Sequence, residues 1–368
     1  MKFTCTQENL SKALNIVSHI CTTRSTLPIL SNVLFSIEKG RLKISSTDLE
    51  IGISTFIGAK IDEEGSFTVP SRLLVEFVNT NTDKNIAIYK EGDKLNLLSE
   101  QFNARIKGLE ADEFPSIPDV KPDNTIEVSG ALLSEAISQT VFATAIDDNR
   151  PVLTGVLCKV ENDLLKIVAT DSFRLAEKTV NLAKKSDKNF QFLVPARTFQ
   201  ELSRLLSEKI ESVKIFISSN QVQFCLSDAI LISRLIAGEY PDYTQIIPNV
   251  KKTSILAPRQ ELSNAIKMAS FFAREANNNV KVKVGDKNDL QIVATSAQMG
   301  DNVSKTQAKI EGEAIEISFN AKYLLDPLGV IDELEVIFDL NGRFSPGVIK
   351  PVKAKDYLYI IMPLRLEE

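Results

Sequence analysis

The same layout is written three times along this chain, at a spacing long enough for each copy to be a domain. Val69-Pro-Ser-Arg-Leu-Leu74 returns as Val194-Pro-Ala-Arg-Thr-Phe199 and as Phe319-Asn-Ala-Lys-Tyr-Leu324, so Pro70, Pro195 and Asn320 stand 125 residues apart. Arg24-Ser-Thr-Leu-Pro-Ile-Leu-Ser-Asn-Val-Leu34 returns as Arg150-Pro-Val-Leu-Thr-Gly-Val-Leu157, and Thr47-Asp48 returns as Thr170-Asp171 and Thr295-Ser296. Solenoid units are far shorter, and 368 residues leave room for two or three domains. The repeat predicts domains over residues 1–120, 125–248 and 252–368. Linkers are expected near Pro115–Asn124 and Pro248–Ser254, where Pro, Asn and Lys gather.

Each copy repeats one order of elements. A helix opens it: Leu10, Ala13, Leu14 and Val17 share a face at helical spacing, and Leu133–Ile137 and Leu262–Ile266 are the later copies. A hairpin follows, Val33–Ile37 with Leu42–Ser46, then Val156–Val160 with Leu164–Ala169, then Val280–Val284 with Leu290–Ala294. A second helix starts at the Val-Pro segment, with Phe199, Leu202, Leu205 and Leu206 as its apolar stripe in the middle copy. Two more strands close the repeat, as in Ser212–Ile217 and Gln221–Leu226. Two helices on antiparallel sheets, three times over, is an α+β design.

Composition narrows the chemistry. The 43 Lys and Arg are outnumbered by 48 Asp and Glu, giving a net charge of −5. A surface that grips nucleic acid everywhere needs the opposite balance, although a local basic lining is compatible with it. No apolar run approaches the roughly 18 residues of a membrane span, and the first residues lack the apolar stretch of a signal peptide. Cys5, Cys21, Cys158 and Cys225 have no metal-ligand spacing and read as reduced thiols of a cytoplasmic protein. His19 is the one histidine, so no His-based triad or His-rich metal site can form. The phosphate-cradling Gly-x-x-x-x-Gly-Lys-Ser/Thr pattern is missing. Asp147-Asp148 reads as a solvated loop, and Asp48 and Asp171 as turn residues accepting from nearby backbone N–H groups. A carboxylate-dependent hydrolase built on Asp147 stays as the enzymatic alternative. No cofactor or metal is expected.

Several segments together resemble the bacterial DNA polymerase III beta subunit (beta sliding clamp) family. They are Met1-Lys-Phe-Thr4, Thr26-Leu-Pro-Ile-Leu30, Thr47-Asp-Leu-Glu50, Ala169-Thr-Asp-Ser-Phe-Arg-Leu-Ala176, Tyr240-Pro-Asp-Tyr243, Phe319-Asn-Ala-Lys-Tyr323 and Ile361-Met-Pro-Leu-Arg-Leu366. They run through the whole chain in order. The resemblance implies a non-catalytic processivity factor, a head-to-tail homodimer forming a six-domain ring around duplex DNA without sequence preference. It implies helix-borne lining residues Lys12, Arg72, Arg197, Arg204, Lys267 and Lys322, with loop residues Arg24 and Arg150. Glu8, Glu76, Glu201 and Asp326 lie on the same helices, so an ordinary solvated face stands beside DNA contact as a reading of each cation.

The resemblance also implies a pocket for short linear peptides of the replicative polymerase, the clamp loader and repair polymerases. Its lining would be Leu153, Thr170, Ser172, Phe173, Arg174, Leu175, Pro241, Ile246, Asn320, Tyr323, Phe344, Ser345, Pro346, Met362, Pro363, Leu364 and Arg365. Plain core packing is the alternative for Leu153, Leu175 and Ile246. Two departures bear on peptide preference: Asn277-Asn-Asn279 stands where the family often has a Phe, and Glu367-Glu368 extends the usual Arg-Leu end. For the dimer seam the resemblance points to Ile106 on an edge strand of the first domain, facing Phe271 and Phe272 of the third. An adaptor of the same fold that binds proteins without encircling DNA is the non-enzymatic alternative.

Overall fold

The computed structural model describes residues 1–21, 27–38, 40–147, 149–207, 210–285 and 289–364. The first repeat comprises β1 Lys2–Thr6, α1 Gln7–Val17, β2 Asn32–Glu38, β3 Arg41–Thr47, β4 Ile51–Ile57, β5 Lys60–Glu63, β6 Gly65–Pro70, α2 Ser71–Thr80, β7 Asn85–Glu91, β8 Lys94–Leu98 and β9 Asn103–Lys107. The second comprises β10 Asn124–Ser129, α3 Gly130–Thr140, β11 Gly155–Glu161, β12 Leu164–Thr170, β13 Arg174–Asn181, β14 Phe190–Pro195, α4 Ala196–Leu205, β15 Ser212–Ile217, β16 Gln221–Cys225 and β17 Ala229–Arg234. The third comprises β18 Thr253–Pro258, α5 Arg259–Ala273, β19 Asn279–Val284, β20 Asp289–Ser296, β21 Gly300–Gln307, β22 Lys309–Gly312, β23 Ile315–Asn320, α6 Ala321–Val330, β24 Glu335–Leu340, β25 Gly347–Pro351 and β26 Tyr357–Ile361.

Each repeat opens on a strand, which corrects the expectation that it opens on a helix. The strand is short and alternates: Phe3 and Cys5 are buried in β1, Ile126 and Val128 in β10, Ile255 and Ala257 in β18. The helix then starts where local chemistry dictates. Thr6 caps α1, its side-chain oxygen accepting from the Asn9 N–H at 3.3 Å. Pro70 and Pro258 lack an N–H for the ladder and sit at the N-caps of α2 and α5.

Two compact units emerge. One contains residues 1–131 and 204–235, the other 132–203 and 236–368. In the first unit the sheets run β5-β1-β7-β8-β9 and β10-β15-β16-β17-β4-β3-β2-β6. In the second they run β14-β11-β12-β13-β26-β25-β24-β18-β22 and β21-β20-β19-β23. The strand pairs that join one repeat to the next are antiparallel. Gly52 lies opposite Ile232 in the β4–β17 pair. Leu175 lies opposite Ile360 in the β13–β26 pair. A repeat therefore does not complete its own sheets, since its strands finish those of its neighbour.

Aromatic residues anchor the cores under these sheets. Phe3 and Phe35 pack with ring centroids 5.8 Å apart in the first unit, and Phe319 and Phe338 at 5.7 Å in the second. Gly108 lets two backbones meet where Thr68 and Leu109 bridge, because a Cβ there would fall 2.0 Å from the Thr68 carbonyl oxygen. Among the described residues no helix is long and apolar enough to cross a membrane.

All four cysteines are free thiols, with Cys5 and Cys158 buried. Burial pushes the Cys5 thiol up to about 12 and raises Cys158 as well. The thiolate is the reactive form. Cys5 and Cys158 should therefore resist a maleimide at pH 7.5 in the native chain and react fully once it is unfolded in guanidinium. Peptide mapping by mass spectrometry reads both sites.

Candidate functional site

The Thr-Asp turn seen in the sequence is a built device, used twice with the same bonds. Between β12 and β13, the Thr170 hydroxyl donates to the Arg174 carbonyl at 2.6 Å and accepts from the Ser172 N–H at 3.1 Å. Asp171 Oδ1 accepts from the Phe173 and Arg174 N–H groups at 2.9 and 3.0 Å. Between β3 and β4, Thr47 and Asp48 make the matching bonds to Ile51, Leu49 and Glu50. Ser172 and Leu49 take left-handed φ values of 77° and 79°. Such a conformation costs a non-glycine residue about 1–2 kcal/mol, which the turn's hydrogen bonds offset. The turn role expected for Asp48 and Asp171 is thus the observed one. In the first repeat the tip carries exposed Glu50; in the second it carries Phe173, 61% exposed.

The strands that flank this turn, through Val168 and Leu175, contribute to an apolar floor. Leu157, Val168, Leu175, Leu193, Tyr243 and Ile360 form a buried cluster, with Val152, Ile236, Tyr240, Ile246, Ile247 and Leu358 packed against it. Leu153 and Leu175 are 2% and 0% exposed and belong to the core, as does Thr170 at 6%. Ile246 is half-buried on the cluster. Pro241 and Ser172 are exposed, while Tyr323, Ser345, Met362, Pro363 and Leu364 are half-buried. Asn320 caps α6, its side-chain oxygen accepting from the Lys322 N–H at 2.9 Å. The C-terminal segment is pinned at two points: the Met362 N–H donates to the Phe173 carbonyl and the Leu364 N–H to the Ser318 carbonyl, each at 2.8 Å. Pro346 lines a cavity of about 260 Å³ with Ile247, Val348 and Leu358. Phe344, 67% exposed, and Leu364 border a smaller cleft with Arg343 and Glu316. Arg365 lies outside the described residues. Sequence reasoning does not single out Tyr240, Tyr243, Val152, Ile247 and Leu358, which belong to or pack on this cluster, because an apolar residue in a strand or linker looks the same over a core as at its edge.

Arg174 is held by the fold itself. The resemblance implies that it lines the pocket; its side chain is 6% exposed and its donors are engaged within the chain. Nε donates to Asp171 Oδ2 at 3.0 Å, Nη1 to Asp326 Oδ2, and Nη2 to the Phe142 carbonyl at 2.6 Å. The guanidinium lies 4.3 Å from the Tyr323 ring centroid and 5.6 Å from that of Phe142. Burial works against its charge, but Tyr359, Asp171 and Asp326 more than offset this, so its pKa moves up. Lys178, also buried, binds Glu135 at 2.7 Å and Asp356 at 3.1 Å.

The cations expected to contact DNA fall into distinct situations. Lys12 pairs with Glu8 at 2.5 Å and Arg72 with Glu76 at 3.0 Å, both as exposed i,i+4 pairs. Such pairs are weak and leave the cation able to exchange partners. Arg197, Lys267 and Lys322 are exposed on α4, α5 and α6. Arg150 is exposed, with Nη1 at 3.5 Å from the Ser172 hydroxyl. Arg204 is exposed as well, but its Nη1 and Nη2 donate to the Asn15 and Ile16 carbonyls at 3.0 and 2.8 Å, capping the end of α1. Arg24 and Asp148 lie outside the described residues.

At the expected seam, Ile106 sits on β9, which ends its sheet, but its side chain is 3% exposed and packs inward. What β9 offers outward is Asn103, Arg105 and Lys107. Phe271 is 40% exposed on α5 with Arg274 over its ring at 5.5 Å, and Phe272 is half-buried. The strand packed beside α5, β21, also ends its sheet, with Asp301, Val303 and Lys305 exposed along it.

Comparison with known proteins covers the whole of this architecture. Residues 1–118, 127–242 and 244–365 match the profiles described as the N-terminal, central and C-terminal domains of DNA polymerase III beta subunit. The "Beta sliding clamp" of Synechococcus elongatus is 32% identical over 375 residues, covering all of both chains. The crystal structure of the DNA polymerase sliding clamp from Bacillus subtilis superposes with a TM-score of 0.96 at 32% identity over all of both chains. A sliding clamp from Pseudomonas aeruginosa bound to griselimycin superposes at 0.94, with 30% identity and the same full coverage.

The capping role of Arg204 is testable. Replacing it with Ala should cost about 1 kcal/mol of stability, the usual worth of such hydrogen bonds, read as a lower urea midpoint with an unchanged slope. An unaltered midpoint in Arg204→Ala would show the cap to be dispensable.

Proposed function

The chain belongs to the DNA polymerase III beta subunit family, and from that premise we propose that two copies close head to tail into a non-catalytic, cytoplasmic processivity clamp. The ring encircles duplex DNA and tethers the replicative polymerase, the clamp loader and repair polymerases by short peptides. The observation that carries this reading is the pattern of strand pairing. The first repeat lends β4 to β17 of the second, and the second lends β13 to β26 of the third. In the third repeat the corresponding strand is β21; in the first, the counterpart of β17 and β26 is β9. Both end their sheets. A β edge exposes backbone donors and acceptors, and a heterologous contact repeated twice closes into a two-fold ring.

The internal joints also supply a register. Thr47 faces Gly52 and Thr295 faces Asp301 across their turns, making Asp301 the counterpart of Gly52. Leu95 faces Ile106 as Val222 faces Ser233, making Arg105 the counterpart of Ile232. Because Gly52 pairs with Ile232, Arg105 of one copy falls opposite Asp301 of the other. Both point outward, and opposite charges directly across an antiparallel pair attract. Phe271 and Phe272 on α5 lie beside this strand and form the apolar part of the seam, while Ile106 supports β9 from within.

Encirclement explains the charge balance. A ring held by topology need not bind DNA tightly, so a net charge of −5 is tolerable if scattered cations face the duplex. Arg197, Lys267, Lys322, Arg150 and Arg24 are the lining candidates, with Lys12 and Arg72 exchanging a glutamate for phosphate. The partner pocket gathers Phe173, Pro241, Ile246, Tyr323, Phe344, Met362, Pro363 and Leu364 over the apolar floor. Adaptable, apolar side chains such as Met362 suit a site with several occupants. The griselimycin-bound relative supports a ligand site on this fold, and griselimycin serves as a probe for it here.

Two experiments test the reading. Arg105→Glu should convert the dimer to monomer in native mass spectrometry, and adding Asp301→Arg to the same chain should restore it. Failure of the second change to rescue would contradict the register. Met362→Ala with Leu364→Ala should weaken griselimycin binding at least tenfold by calorimetry, about the loss expected from truncating two apolar anchors, with the dimer mass retained. Unchanged affinity would remove these residues from the pocket.

A further inference from the structure

Behind the proposed pocket wall lies a polar assembly whose members come from separate segments of the second unit. Arg174, at the start of β13, reaches Asp326 on α6, Asp171 in its own turn, and the Phe142 carbonyl beyond α3. Its flat guanidinium lies against the Tyr323 ring at 4.3 Å, with Phe142 at 5.6 Å. The Tyr359 hydroxyl donates to the Tyr323 carbonyl at 2.7 Å, and the Tyr359 ring packs on Phe142 at 5.9 Å. Asp326 follows Tyr323 by three residues, which places both on one face of α6.

The chemistry of these contacts is directional. A guanidinium is a rigid plate with donors in a fixed fork, so its orientation is set by the acceptors that hold it. Here Asp171 and Asp326 hold different nitrogens, and the plate they fix backs the Tyr323 ring by cation–π contact. Resting on the pocket reading above, we infer that Asp326 is a positioning residue of the partner pocket: by holding Arg174, it fixes the plane of the Tyr323 ring that the ligand packs against. The half-buried tyrosine carries the ligand contact, and Arg174 and Asp326 act through it. An amide at 326 is the same size but loses the charge that holds Nη1. A lysine at 174 keeps its charge but has neither the fork nor the plate.

The test is a double-mutant cycle in the full-length chain, with griselimycin binding measured by calorimetry. Tyr323→Ala and Asp326→Asn should each weaken binding, the latter roughly tenfold, the factor produced by loss of one charge-assisted hydrogen bond. Asp326→Asn should add nothing in the Tyr323→Ala background, because coupled groups are not additive. Arg174→Lys should behave as Asp326→Asn does. If Asp326→Asn binds as the parent while Tyr323→Ala is weakened, the positioning role is overturned and the pocket stands. Equal losses from Asp326→Asn in both backgrounds also overturn it, since the effect then bypasses the ring. If Tyr323→Ala binds as the parent, the pocket wall itself is wrongly placed. Should Asp326→Asn lower the melting temperature enough to blur the comparison, Asp326→Glu reads the same coupling with the charge retained and displaced by one methylene.

Discussion

Backbone groups along a β edge need partners, and the joints of this chain follow from how that need is met. A strand of one repeat completes the sheet of the next, through Gly52 opposite Ile232 and Leu175 opposite Ile360. Side-chain contacts reinforce each joint. Thr55 donates to the Asp228 carbonyl at 2.5 Å beside the first, and Lys178 meets Asp356 at 3.1 Å beside the second. A chain built this way has a donor strand left over at one end and a receiving strand at the other. Closure by a second copy uses both without requiring any new kind of contact.

The period of the chain makes the order of elements legible from the residues alone. Leu10, Ala13, Leu14 and Val17 are all buried on α1 as their spacing implies, and the Thr-Asp pairs are turn residues. The opening strands are not legible, because five or six residues with two or three buried side chains give little periodic signal. Strand pairing between repeats is equally hidden, since nothing local in Gly52 announces a partner at Ile232. The cations mark the clearest limit. Arg174 sits in a family-like turn segment and Arg204 on a helix of the repeat, yet buried Arg174 and exposed Arg204 both donate to acceptors of the chain itself. Burial and acceptor geometry decide that question, and neither is written in sequence spacing.

The same geometry divides labour within the proposed partner site. The turn at Thr170–Arg174 presents Phe173 outward while turning Arg174 inward, so a single five-residue segment supplies an apolar contact and an internal strut. Ser172, just before Phe173, takes the left-handed conformation of this turn, and successive residues entering a strand point to opposite faces. In the first repeat the same turn presents Glu50 and has Ile51 where Arg174 would be, so the device is shared but its chemistry is not. A repeated scaffold can thus carry one ligand site at one joint only, by changing two or three side chains.

Electron microscopy of the purified protein is the most direct test of closure through these strands. The account predicts a ring of six similar lobes around an opening wide enough for duplex DNA, each ring holding two chains. Isolated three-lobed particles at micromolar concentration would contradict it, because the free ends of β9 and β21 would then have no partner and encirclement of DNA would lose its structural basis.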